Sequence, residues 1–126
     1  YGEEMDLTIR AYRRGWIVLF EPSAIADHIG SATISKKVMH YERRASLVKN
    51  RHLSMIKHVH NKFGLSEYLF WTFLAMPFRL ISFDKGYLLG TIRAIKQFKQ
   101  ASLKRKIEKQ SAKITDDMLF KKLSSL

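Results

Sequence analysis

Tyr1-Gly2-Glu3-Glu4-Met5-Asp6-Leu7 sets three carboxylates within four positions and runs on through Arg10 to Gly15-Trp16. Met5, Ile9 and Tyr12 recur at i, i+4 and i+7, with Leu7 and Ala11 beside them, so residues 3–14 read as a helix with one apolar flank. Gly15 supplies a left-handed C-terminal cap, and Trp16 can fold back over the last turn. Like charges crowded together repel and raise one another's pKa. In a chain of 126 residues with 23 basic and 11 acidic side chains, so tight an acidic cluster points to a site. The plain alternative is an acidic helix start favoured by the helix dipole.

Beyond the cap, Trp16-Ile17-Val18-Leu19-Phe20 is a continuous apolar run with the β-branched residues of a buried strand. Glu21-Pro22 ends it, and residues 24–27 read as a second short extended piece leading to His28 and the small-residue loop Gly30-Ser31-Ala32-Thr33. Residues 39–60 read as a long basic helix striped with Tyr41, Ala45, Val48, His52, Met55, Ile56 and Val59. His52, His58 and His60 read there as faces of that helix. Ser66 is expected to cap an aromatic helix through Phe83, kinked near Pro77, because proline lacks the N–H and clashes one turn back. Asp84 is expected to cap a further helix in which Leu88, Ile92, Ile95 and Phe98 alternate with Arg93, Lys96 and Lys99. From Lys104 to Lys113 apolar residues nearly vanish, which predicts a mobile or membrane-associated tail before a last turn or two capped by Thr115-Asp116-Asp117.

The formal net charge of +12 and pI of about 10.1 call for an anionic partner: nucleotide phosphates, acidic lipid headgroups or nucleic acid. Cysteine is absent, which excludes a disulfide framework and any Cys-based metal site. The stretch Tyr68–Phe78 is uncharged, but Arg79 interrupts it well short of the roughly 20 apolar residues a spanning helix needs. Aromatics flanked by Arg79, Lys85 and Arg93 have the composition of helices lying in a headgroup layer, so an anionic membrane surface is an expected partner. The competing reading packs the same aromatics against another part of the protein. A basic helical module binding nucleic acid is the rival from a different class. Against it, the aromatics cluster in one apolar run instead of spacing themselves as stacking platforms, and the acidic cluster repels phosphates.

The order Tyr1-Gly2-Glu3, Asp6-Leu7, Arg10, Gly15-Trp16, Pro22, His28 and Gly30-Ser31, with Lys49-Asn50-Arg51 further on, resembles the C-terminal part of a known catalytic domain. The family is the inverting glycosyltransferases of family 2, of GT-A type, the rhamnosyltransferase-like branch in particular. The resemblance covers residues 1–60 and departs at Glu4, where aspartate is usual. It implies a mostly helical α/β fragment. Residues 1–60 would be the end of a GT-A domain whose nucleotide-binding half lies upstream, and residues 61–126 a basic amphipathic helical extension with a tail from about residue 104.

The implied activity is metal-dependent transfer of a sugar from a nucleoside-diphosphate sugar to a saccharide or lipid-linked acceptor, in bacterial surface polysaccharide synthesis. The protein would sit peripherally at the inner face of the cell membrane, on the cytoplasmic side, and this piece alone would be inactive. Such a transfer needs a base for the acceptor hydroxyl and a cation for the departing diphosphate. By resemblance Glu4 is the base, with Glu3 as second choice, and Asp6 contacts the acceptor or orients the helix. His28 would complete the coordination of Mn²⁺ or Mg²⁺. Trp16, Gly30, Ser31 and Arg10 would contact substrate, Arg10 also pairing with an acidic neighbour.

Overall fold

The computed structural model describes residues 3–19, 21–25 and 39–124. Among them are six helices: α1 (Glu3–Arg13), α2 (His40–His58), α3 (Lys62–Ile81), α4 (Lys85–Lys96), α5 (Phe98–Ser111) and α6 (Asp116–Ser124). α1 ends as its sequence dictates. Gly15 sits at φ 75°, its N–H bonds the Tyr12 carbonyl and the Trp16 N–H reaches back to the Ala11 carbonyl, the paired bonds of a Schellman cap.

α2 is the axis of the molecule. α3 returns antiparallel to it, with Tyr68 beside His52 and Arg79 near the Asp84 that binds Arg44. α4 then turns back alongside α2, because Gly86, Gly90 and Ala94 fall on one face at four-residue spacing and are all buried. With no side chain at Gly90, the α4 backbone comes so near α2 that a Cβ there would lie 2.6 Å from the Ala45 carbonyl oxygen. Ala45 is itself fully buried, so the α2–α4 seam is built from small residues.

Caps define the junctions. Asn61, not Ser66, opens α3: its side chain accepts the Phe63 N–H at 2.9 Å, and Ser66 lies inside the helix. Asp84 caps α4 as expected, accepting the Tyr87 N–H at 3.1 Å, while its carboxylate also takes Arg44 at 2.6 Å and Arg79 at 3.3 Å. Between α3 and α4 the chain turns through Phe83, a non-glycine residue at φ 50°. The helix expected to run on past Phe98 breaks at Gln97, and α5 begins at Phe98. Lys104–Ser111 belongs to α5, where Glu108 is buried, and α6 seats Leu119 in the interior.

The short strands expected within residues 16–27 are corrected by this architecture. Residues 16–19 and 24–25 are described and contain no strand. A β-branched apolar run becomes a strand only where a neighbour completes its hydrogen-bond ladder, and none of the described residues provides one. Ile17 and Leu19 are instead 78% and 83% exposed. The resemblance to a family 2 GT-A glycosyltransferase falls with the strands. Six helices without a strand among the described residues are not the mixed α/β fold that a piece of a GT-A domain requires.

Candidate functional site

The acidic start of α1 is brought against the C-terminal end of α2. One oxygen of Asp6 receives both the Lys57 ammonium at 2.6 Å and His58 Nε2 at 2.7 Å, while Arg10 approaches the other oxygen at 3.7 Å. Burial alone would raise the Asp6 pKa; hydrogen bonds from Lys57 and His58, with the Lys57 charge, bring it below the usual carboxylate value. His58 is pushed down chiefly by its own burial, against the opposing pull of Asp6. It is therefore a neutral ring donating Nε2–H to the carboxylate, with an unprotonated Nδ1 that has no hydrogen-bond partner among the described residues.

One turn further along α1, Arg13 is only 1% exposed. Its guanidinium donates to Asp116 at the head of α6, to the His58 carbonyl at 2.6 Å and to the Ile114 carbonyl at 3.0 Å. Asp116 also accepts the Asn61 N–H at 2.7 Å, so burial, which would raise its pKa, is overridden by that bond and by Arg13. Arg105 of α5 covers the Ile56 and His60 carbonyls, and Arg14 meets Glu108 at 3.0 Å. The last carbonyls of a helix lack intrahelical donors and carry its negative dipole end. Two guanidiniums answer that need for α2, which makes this polar cluster a clamp joining α1, α2, α5 and α6.

Of the residues expected to carry chemistry, Asp6 and Arg10 thus sit in the clamp. Glu4 is exposed in the first turn of α1, Glu3 begins that helix, and Trp16 follows its cap with its ring largely in solvent. His28, Gly30 and Ser31, and with them the expected cation site, lie outside the described residues. Among the described residues no cluster of three metal-ligating side chains is assembled, and the Asp6 oxygen nearest α2 is already committed to Lys57 and His58.

A second feature lies across the molecule on α3. This helix is apolar almost all round, yet none of its residues is buried. Tyr68, Leu69, Thr72 and Met76 turn inward, and Phe63, Phe70, Trp71, Leu74, Phe78 and Ile81 turn out, Phe63 being 85% and Phe78 70% exposed. The inward face and α4 enclose a cavity of about 240 Å³. His52 stands in its wall, 2.7 Å from the Tyr68 hydroxyl and 3.1 Å from Thr91 Oγ1. Thr91 gives its single hydroxyl proton to the Tyr87 carbonyl at 2.9 Å. It therefore accepts from His52, which makes His52 the Nε2–H tautomer, with Nδ1 accepting from Tyr68. Burial, then the nearby Arg51 charge, lowers the His52 pKa and keeps that ring neutral.

Sequence reading placed His52 and His58 on faces of the basic helix and Asp116 in the cap of the last one, without the partners they have here, and did not single out Arg13. The signal for His52 was its place in the apolar stripe of α2; for Arg13 and Asp116 no local pattern exists, since their partners are about a hundred positions apart. No family model matches this chain, and neither curated proteins nor solved structures provide a match.

Proposed function

We propose that this chain is a basic helical module that attaches to anionic membrane surfaces through the outer face of α3. The observation that carries the reading is the exposed aromatic face of a helix with no buried residue. Large contiguous apolar patches on a protein surface mark interaction sites. Fully burying each such ring is worth about 1.5–3 kcal/mol. Residues 62–113 carry eleven basic and three acidic side chains, and two of the three acids, Asp84 and Glu108, are engaged by arginines. Each lysine near an anionic surface adds on the order of 1 kcal/mol, screened by salt.

No helix among the described residues is long and apolar enough to cross a membrane, which favours lying in the interface over spanning. The inner, cytoplasmic face of a cell membrane has the anionic surface this charge suits. Vesicle co-sedimentation tests the reading. Binding should rise with the phosphatidylglycerol fraction, fall with added salt, and drop sharply in Phe70→Ser/Phe78→Ser. Failure to sediment with anionic vesicles at low salt refutes it, and retention on single-stranded nucleic acid instead would transfer the basic surface to that partner.

Sugar transfer from a nucleoside-diphosphate sugar to a saccharide or lipid-linked acceptor is a second reading, favoured by one observation. Glu4 is exposed at the start of α1, whereas Asp6 is committed to Lys57 and His58. On this reading Glu4 would take the acceptor proton, and His28 would help to hold a divalent cation supplying positive charge for the departing diphosphate. Glu4→Gln should then lower turnover by about two orders of magnitude or more, with donor binding little changed. Unaltered turnover in that variant, or no transfer by the protein at all, removes this reading.

A further inference from the structure

We propose that the cavity between α3 and α4 takes the end of a single acyl chain from an anionic membrane lipid, an inference that rests on the membrane reading of α3. Size comes first. About 240 Å³ exceeds the roughly 150 Å³ that holds one benzene ring. It falls short of the roughly 300–1,000 Å³ of sites for drug-sized ligands. One slim chain end fits; a nucleotide, a disaccharide or a sterol does not.

Chemistry narrows the choice further, because the polar groups in the wall are already spent. Tyr68 donates to His52, His52 donates to Thr91, Thr91 donates to the Tyr87 carbonyl, and Thr72 donates to the Tyr68 carbonyl at 2.8 Å. A phosphate, sugar or carboxylate entering here would lose its water and find no free donor, a net cost. The rest of the lining is apolar: Ile56 from α2, with Leu69, Phe73, Met76, Ala94, Ile95 and Phe98. A hydrocarbon entering among them supplies the dispersion contacts that an unfilled void forfeits.

The position of the opening selects a lipid over a free apolar molecule. Phe73, Ile95 and Phe98 line the cavity and are also exposed, so they form its mouth. Phe73 adjoins the outward face of α3 that meets the membrane on the proposed reading. Lys96 and Lys99, both exposed, follow Ile95 and Phe98 directly in the chain. Their ammonium groups suit the phosphate of an anionic lipid, one of whose chains would reach the cavity.

The test uses the full chain on phosphatidylcholine vesicles containing phosphatidylglycerol whose acyl chain ends in a photoreactive diazirine. After irradiation, adducts per bound protein are mapped by mass spectrometry. Adducts should appear on Leu69, Met76 and Ile95, and Met76→Trp, which fills the cavity, should reduce those on Leu69 and Ile95 severalfold. Adducts confined to Phe70, Trp71 and Phe78 would overturn the acyl site while leaving membrane attachment standing. Absence of vesicle binding would remove both. Should Met76→Trp not fold, the adduct map of the unaltered chain decides alone.

Discussion

Replacing Arg13 by methionine keeps an unbranched apolar stem and removes the guanidinium that ties α1 to α6 and to the end of α2. Three bonds are lost, to Asp116, the His58 carbonyl and the Ile114 carbonyl. Asp116 is left buried with a single donor, the Asn61 N–H. Hydrogen bonds to charged groups are worth about 1.5–3 kcal/mol each, which summed would give roughly 5–9 kcal/mol. That sum overcounts, because one desolvated guanidinium makes all three. Breaking a buried pair from one side costs about 3–5 kcal/mol, and this is the figure to expect. Out of a total stability of about 5–15 kcal/mol it is a large share.

In urea, followed by far-ultraviolet circular dichroism, the midpoint should fall by about 1.5–2.5 M for a slope near 2 kcal/mol/M. The double variant Arg13→Met/Asp116→Leu should recover part of that loss, since neither charge is then stranded. A midpoint shift under about 0.5 M, the scale of an exposed ion pair, or strictly additive singles, would refute the clamp.

Gly90→Ala gains about 1 kcal/mol of helix propensity but sets a Cβ 2.6 Å from the Ala45 carbonyl oxygen and 2.8 Å from Val48 Cβ. Overpacking at about 1–3 kcal/mol wins, so the urea midpoint should fall; a rise would mean that α2 and α4 do not meet there. The pH profile has its own sign: His52, His58 and His60 are all held below 6.5, chiefly by burial, so below that pH the unfolded chain takes up protons first. The stability they give above pH 6.5 should be lost as pH falls through their folded values, at up to about 1.4 kcal/mol per pH unit for each proton of difference. Asp6 and Asp116, lowered from 3.8, add a second loss in more acid solution. A urea midpoint that stays flat from neutral pH to about pH 5 would contradict this. Phe83→Gly should raise stability by up to about 1 kcal/mol by relieving the left-handed backbone, and should weaken vesicle binding; unchanged binding would take Phe83 out of the membrane face.

What could be read in the sequence was what local chemistry decides. The Gly15 cap, the Asp84 cap and the helical span of residues 39–60 follow from turn residues and from 3.6-residue spacing, and each is present. The strand expected from Trp16 is absent over the described residues 16–19, because a strand depends on a partner, which no local pattern supplies. α3 begins at Lys62, ahead of Ser66, because the Asn61 side chain accepts the Phe63 N–H and caps the helix there. Residues 104–113 looked structureless because α5 is held by Ala101, the Arg105 guanidinium and the Arg14–Glu108 pair, not by large apolar side chains. His28, Gly30 and Ser31 lie outside the described residues. Arg13 and Asp116 were illegible for a simple reason: a buried ion pair has no periodicity.

The distribution of side chains in this molecule runs against what stability alone would choose. Arg13, Glu108 and Asp116 are buried, while every described phenylalanine is exposed. Taking charges out of water costs several kcal/mol per ion, and apolar residues of similar volume often serve as well or better. Phenylalanines that stay outside therefore contribute nothing to the interior that the clamp must instead supply with charge. Phe83 sharpens the point, since it holds a backbone conformation that favours glycine and still leaves its ring 81% exposed. An arrangement costly on both counts is understandable if the outer face of α3 is matched to a surface other than water. The two features are then separable. Damage to the clamp should lower stability without altering how the folded chain binds vesicles, and Phe70→Ser/Phe78→Ser, on the exposed face of α3, should sharply reduce binding while leaving the urea midpoint where it was.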